Sequence, residues 1–231
     1  MDTAWPTMPV AERFVSINGE GLHAGQFSTF IRFSGCNLSC SYCDTTWACS
    51  PECPAENVTV ADLVEYVAAQ GTPCVTLTGG EPLLQPLLPR LVQELTLSTP
   101  CFVEIETNGA CDVAPLAILK QSAGQGRIGI TLDCKSPSSG MSQRMLSGNY
   151  QWLDADDCVK FVVGSVADLE AAASVIAQHD LLTKCPVILS PVFGEIVPAD
   201  IVAFLDERGL RSARVQLQLH KIIWPGVEKG V

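Results

Sequence analysis

Short apolar runs recur along the chain at residues 29–33, 74–77, 102–105, 128–132, 159–163 and 187–189, each bounded by Gly, Pro or Ser. Runs of this length with no polar face predict strands buried in a parallel sheet. Between them, apolar residues fall at helical spacing over 60–69, 87–97, 167–177 and 199–206, which predicts crossover helices. Right-handed alternation of the two gives an α/β fold, a parallel sheet with helices outside, either doubly wound or curled into a whole or partial (β/α) barrel. In both forms ligands sit beyond the C-terminal ends of the strands. The polar stretch 136–149 is expected to be an exposed excursion. With no internal repeat, low-complexity tract or linker, residues 1–231 are expected to form a single domain.

Composition narrows the setting. Residues are 47% apolar and 17% charged, and 25 acidic against 14 basic side chains give a formal charge of −11. A field of that sign repels phosphate backbones and anionic membranes, so neither nucleic acid nor a membrane surface is an expected partner. The first 15 residues lack a basic start and an apolar stretch, and no apolar run reaches spanning length. A cytoplasmic protein is expected. Eleven cysteines in a reducing compartment then point to metal binding by some and packing by the rest.

Spacing picks out which. Cys36, Cys40 and Cys43 form C-x₃-C-x₂-C directly after the strand at 29–33. Three thiolates can hold three irons of a cubane and leave the fourth iron open. The spacing differs from the four-thiolate runs of electron carriers and the paired knuckles of zinc sites. A zinc site completed by Cys49, Cys53 or His23 is the competing reading; otherwise Cys49 and Cys53 either hold a second metal or, lacking nearby partners, are accessory thiols of a loop, the latter being the expectation. Two more segments close strands. Thr78-Gly79-Gly80-Glu81-Pro82 carries glycines that let backbone approach a ligand where a Cβ would block it. Glu104-Ile105-Glu106-Thr107-Asn108-Gly109 places Glu104 and Glu106 on one face, either as a solvated strand end or as hydrogen-bond acceptors for ligand.

Together these segments resemble the radical SAM superfamily, and nearly the whole chain is similar to its 7-carboxy-7-deazaguanine synthase family. The resemblance implies an abbreviated partial (β/α) barrel of the radical SAM type, a [4Fe–4S] cluster on Cys36, Cys40 and Cys43, and S-adenosylmethionine (SAM) on its open iron. For SAM it implies contacts from Tyr42, Cys43, Asp44, Gly80 and Glu106. It adds the strand ends Asp133-Cys134-Lys135 and Ser190-Pro191-Val192-Phe193. For substrate it implies Ile17, Asn18 and Gly19, all three in an N-terminal segment, residues 16–21, where the family usually has Gln for Asn18, together with Arg32, Thr78 and His220. It also implies Val231, through the terminal carboxylate that the family can use to hold its substrate. Arg32, between two apolar strand residues, needs a partner, and its planar fork suits a carboxylate. Thr45 matches a hydroxyl that ligates Mg²⁺, with most of that ion's shell coming from substrate and water.

The implied reaction turns 6-carboxy-5,6,7,8-tetrahydropterin into 7-carboxy-7-deazaguanine with loss of ammonia, a lyase step towards queuosine, with an electron donor such as flavodoxin or ferredoxin. Exposed edge strands of a partial barrel lead to the expectation of a homodimer. A glycyl-radical activating enzyme, which carries the same cysteine spacing, and a non-enzymatic iron or zinc module are the alternatives.

Overall fold

The computed structural model describes residues 5–50, 52–124 and 126–231. The elements run β1 (Thr7–Ile17), β2 (Phe27–Phe33), α1 (Thr46–Cys49), β3 (Glu56–Thr59), α2 (Val60–Gln70), β4 (Cys74–Gly79), α3 (Leu88–Ser98) and β5 (Phe102–Thr107). Then come α4 (Ala114–Ala123), β6 (Ile128–Lys135), β7 (Cys158–Val163), α5 (Val166–His179), α6 (Leu181–Lys184), β8 (Val187–Pro191), α7 (Pro198–Glu207), β9 (Arg214–Val215) and α8 (Leu219–Ile223). All six expected strands and all four expected helices are present within a few residues, and α4 joins them.

One sheet orders the strands β3-β1-β2-β4-β5-β6-β7-β8-β9, parallel from β2 through β9, with β1 antiparallel to both β2 and β3. The sheet is a partial barrel, left open between β3 and β9. Helices form where the sequence supplies caps. The Thr59 hydroxyl accepts from the Asp62 amide at the start of α2, and Gly71 ends that helix in the left-handed region at φ 64°. Ser165 caps α5 in the same way, while α3, α4 and α7 carry proline in the first turn.

The strand period of two divides the sheet into unlike faces. Ile31 and Phe33, Val75 and Leu77, Val103 and Ile105, Ile130 and Leu132, and Val159 and Phe161 turn outward into the core beneath the helices. There α2 and α3 bury Leu63, Val67, Leu88, Leu91 and Leu95, each contributing about 1.5–3 kcal/mol. The alternate positions face the hollow, and they are largely polar: Arg32, Thr78, Glu106, Asp133, Lys135 and Lys160. The strands are therefore two-faced rather than uniformly apolar.

Three expectations need correction or addition. The antiparallel pair β1 and β3 lies outside the expected strands. Residues 136–149 are not simply exposed: they contain short 3₁₀ turns, bury Ser136, Ser139 and Asn149, and direct the Ser138 amide and hydroxyl onto Asp168 of α5. Ser139 and Asn149 are buried because their side chains bond neighbouring backbone carbonyls and Ser138 bonds the Asp168 carboxylate, whereas the buried Ser136 hydroxyl has no partner among the described residues. The third is at the open side, where the loop after β1 meets the segment after β9. The Gln216 side chain accepts from the Gly21 amide at 2.8 Å and donates to the Gly21 carbonyl at 3.0 Å, and the Leu219 amide donates to Gly19 at 3.1 Å. No helix among the described residues is long and apolar enough to cross a membrane. The first four residues, part of the segment read for a leader, lie outside the described residues.

Candidate active site

In register, Arg32 lies beside Thr78 and Phe33 beside Gly79, so the cysteine loop leaves β2 level with the Gly-Gly turn that leaves β4. That turn is welded to the loop by backbone. The Gly80 amide donates to the Phe33 carbonyl at 3.0 Å and the Glu81 amide to the Gly35 carbonyl at 2.9 Å. A Cβ on Gly79 would stand 2.2 Å from the Phe33 oxygen, and one on Gly80 2.0 Å from the Gly35 oxygen. The glycines thus serve first the approach of two protein backbones, where ligand approach was the expected reason. Glu81 continues the weld. Fully buried, it accepts from Leu83 and Asn108 amides at 2.9 and 2.7 Å and from the Thr107 hydroxyl at 2.8 Å. Burial outweighs those bonds and pushes its carboxyl up to about 7.

Cys36, Cys40 and Cys43 are half-buried and line a cavity of about 890 Å³ at the C-terminal edge of the sheet. Cys36 Sγ accepts from the Leu38 amide at 3.4 Å and approaches Asn108 Nδ2 at 3.6 Å. Asn108 also donates to the Asn37 side chain at 2.7 Å. Cys49 corrects an expectation. The sequence leaves it without partners, but α1 turns its Sγ back to 3.8 Å from Cys43 Sγ. Hydrogen bonding from Cys49 lowers Cys36 to about 6 and Cys43 to about 7 against the opposing effect of burial, while Cys49 itself is raised by the same bonds; burial raises Cys40. The other suggested fourth ligands lie apart. His23 packs on the Phe102 ring at 4.4 Å, and Cys53 donates to the Pro54 carbonyl.

The cavity gathers most of the remaining candidates: Ile17, Asn18, Gly19, Arg32, Tyr42, Asp44, Thr45, Thr78, Gly80, Glu106, Asp133, Lys135, Val192, Phe193, His220 and Val231. Asn18 is committed to protein, donating to Glu104 and to Thr76. Gly19 has no room for a side chain, since a Cβ would meet His220 Nδ1 at 2.3 Å. Arg32 has the partner it needs: its Nε donates to Glu12 at 2.8 Å, and Glu12 also accepts from the Gly230 amide at 3.2 Å, which ties the tail to the same end of the cavity. Tyr42 donates to the Val162 carbonyl at 3.3 Å, and burial pushes its phenol up to about 12. Asp44 accepts from the Thr45 hydroxyl at 2.9 Å and faces Lys221 at 3.3 Å and His220 at 3.8 Å. Burial opposes its ionisation, but His220, Lys221 and Thr45 hold its carboxyl well below the usual range. Thr45 stands at the N-cap of α1 and makes no side-chain capping bond.

Three expected contacts turn elsewhere. Cys134 alternates away from Asp133 and Lys135 into the core, where its Sγ accepts from the Tyr150 hydroxyl at 3.1 Å. Ser190 is fully buried with no partner for its hydroxyl, and it and Pro191 lie off the cavity wall that Val192 and Phe193 form.

Lys160, Glu20 and Gln218 were not assigned from the sequence. Lys160, its side chain 7% exposed, reaches Glu20 at 3.1 Å and Asp133 at 3.3 Å, and Asp133 also pairs with Lys135 at 2.7 Å. Gln218 donates to Glu20 at 3.3 Å. Burial works against Asp133, but the two lysines hold its carboxyl low; Glu106, with burial dominant, is pushed up to about 7. One signal pointed here: a lysine inside the apolar run 159–163 requires a buried counter-charge.

Residues 30–160 match the model of the radical SAM superfamily. A 7-carboxy-7-deazaguanine synthase of Clostridium acetobutylicum is 43% identical over 96% of this chain and 98% of its own. The chain belongs to the 7-carboxy-7-deazaguanine synthase family of radical SAM enzymes. The synthase of this name from Chlorobaculum tepidum is 37% identical over the whole of both chains. The fold is that of the crystal structure of QueE from Escherichia coli, with a TM-score of 0.69, 22% identity, and 93% and 95% of the two chains covered. The superfamily works with a [4Fe–4S] cluster and SAM, on a small molecule and with an electron donor.

The residues of this chain fit that pair. Three thiols lining one cavity are the donor set of a cubane with one iron open. The cavity lies at the upper end of the range for ligand sites and presents the buried, unpartnered oxygens Glu20 Oε1 and Gln218 Oε1 as acceptors.

Proposed function

We propose that this chain, acting as one domain, converts 6-carboxy-5,6,7,8-tetrahydropterin to 7-carboxy-7-deazaguanine with release of ammonia. The observation that carries the reading is the single cavity onto which the three-thiol loop, the 17–19 segment, Arg32 and the 218–231 tail all open. Cys36, Cys40 and Cys43 would hold the cluster, which when bound would supply the electron for reductive cleavage of SAM. The side chains position and exclude water. Arg32, fixed through Nε, offers its terminal amines to the substrate carboxylate. Thr78, His220 and Val231 would contact the pterin, and Tyr42, Gly80, Glu106 and Lys135 would receive SAM. Thr45 would be the protein's ligand to Mg²⁺, which would supply charge stabilisation on the substrate carboxylate side. A cytoplasmic homodimer served by a flavodoxin or ferredoxin is the setting in which we place it.

Anaerobic incubation with dithionite, SAM and carboxytetrahydropterin tests the reading. Product of the expected mass should accumulate while SAM is not consumed. Consumption of SAM with no such product would return the chain to the glycyl-radical activating class.

The magnesium assignment has its own test. Thr45→Ala should lower turnover several-fold at limiting Mg²⁺ and recover in part at excess, since one weak neutral ligand is lost. SAM cleavage without substrate should persist. Equal loss at every Mg²⁺ concentration would make Thr45 a structural residue of α1.

A further inference from the structure

The cluster loop contains a fourth thiol that the three-cysteine motif leaves over. Cys49 ends the short α1, and that turn is stapled to the start of the loop. The Ala48 carbonyl accepts from the Gly35 amide at 2.8 Å, and the Cys49 carbonyl from the Cys36 amide at 3.0 Å. The backbone of Cys49 is therefore fixed to that of Cys36, and its Sγ is 3.8 Å from Cys43 Sγ. The Thr45 carbonyl, 3.4 Å away, is its one acceptor that is not sulfur. Cys49 lines the cavity with the motif cysteines, unlike Cys53, whose Sγ turns to the Pro54 carbonyl.

We propose that Cys49 is not a cluster ligand but the cluster's built-in hydrogen-bond donor, its S–H directed at the ligating sulfur of Cys43 to raise the reduction potential of the cluster. The physical basis is the added electron. Reduction puts more negative charge on the cluster and its thiolates, and a donor to those sulfurs stabilises the reduced form more than the oxidised form. The Leu38 amide and Asn108 Nδ2 donate to Cys36, and among the described residues Cys49 is the side-chain donor beside Cys43. A thiol is a weak donor, and the charge on a ligating thiolate strengthens the bond. The inference rests on the assignment of the cluster to Cys36, Cys40 and Cys43, and it holds whatever small molecule the enzyme transforms.

The test uses the reconstituted protein with neither SAM nor pterin present. Iron and sulfide are assayed, and the cluster is titrated redox-potentiometrically by electron paramagnetic resonance, in wild type, Cys49→Ala and Cys49→Ser. Equal iron and sulfide in all three are expected. At the wild-type midpoint, the reduced fraction of Cys49→Ala should fall several-fold, and that of Cys49→Ser, which keeps a shorter hydroxyl donor, should lie between. A common midpoint for wild type and Cys49→Ala would overturn the proposal. Loss of iron and sulfide from Cys49→Ala, with the serine variant likewise depleted, would also overturn it by making Cys49 a ligand. If the alanine variant does not fold, the serine variant decides alone: an unchanged midpoint or a depleted cluster refutes, and a smaller shift to negative potential supports. Wild-type protein that reconstitutes without labile sulfide would instead show that the cluster assignment beneath the inference has failed.

Discussion

Cys40→Ala is expected to fold, to take up no stable [4Fe–4S] cluster and to show no turnover, and Cys36→Ala and Cys43→Ala should match it. On the proposed assignment each thiol is the sole protein ligand of its iron, so losing one would open a second iron and leave the cubane labile. The fold should survive because the three cysteines sit in a loop at the cavity mouth and are half-buried, whereas the core under the helices is built from Leu, Ile, Val and Phe. The measurement is anaerobic reconstitution followed by iron and sulfide analysis, with circular dichroism as the folding control. A Cys40→Ala protein with full cluster content and wild-type turnover would sink the assignment. The neighbouring thiol separates the roles, since Cys49→Ala should retain its iron and sulfide.

The sequence discloses the outer face of the sheet more readily than the inner one. Val75, Leu77, Val103 and Ile105 announce their strands because short apolar runs have few other fates in an α/β chain. The residues between them face a polar hollow, and their partners are remote: Arg32 meets Glu12 and Gly21 meets Gln216, a pairing across 195 positions. No local pattern encodes such pairings. β1 was missed because Pro9 and the adjacent Glu12 and Arg13 break its alternation, although the strand pairs on both sides. Local geometry also hid Cys49. Six positions beyond Cys43 it looks separate, until a single helical turn brings it back. The cysteine spacing and the segment after β4 were legible because contiguous sequence makes contiguous structure there. Cys134 was misplaced for the opposite reason: adjacent residues on a strand face opposite ways, so a three-residue match to a strand end carries one side chain too many.

The second large effect is expected at Lys160. Its ammonium lies between Glu20 and Asp133 with Glu106 nearby, and Lys135 is the other cation of that cluster. Lys160→Met keeps much of the side-chain volume but leaves buried carboxylates with half their cationic compensation. Removing one partner of such a pair costs about 3–5 kcal/mol, which for a chain of this size lowers the melting temperature by on the order of 10 °C. The loss should depend on pH in a definite sense. Without Lys160, Glu106, already pushed up to about 7 by burial, rises further, and Glu20 loses a hydrogen-bond donor. A carboxyl whose folded-state value is raised keeps its proton in the folded protein at pH values where the unfolded chain has released it, so folding is favoured as pH falls. The deficit of Lys160→Met relative to wild type should therefore be greatest near pH 8 and shrink towards pH 5. Lys160→Arg, which restores the charge, should recover most of the stability at both. Melting curves of the apo-protein at the two pH values provide the check. A melting temperature unchanged by the loss of the ammonium would mean that Lys160 is dispensable and that Glu20, Glu106 and Asp133 are neutralised by other means, and a deficit that is the same at both pH values would mean that its loss is not felt through the titration of those carboxyls.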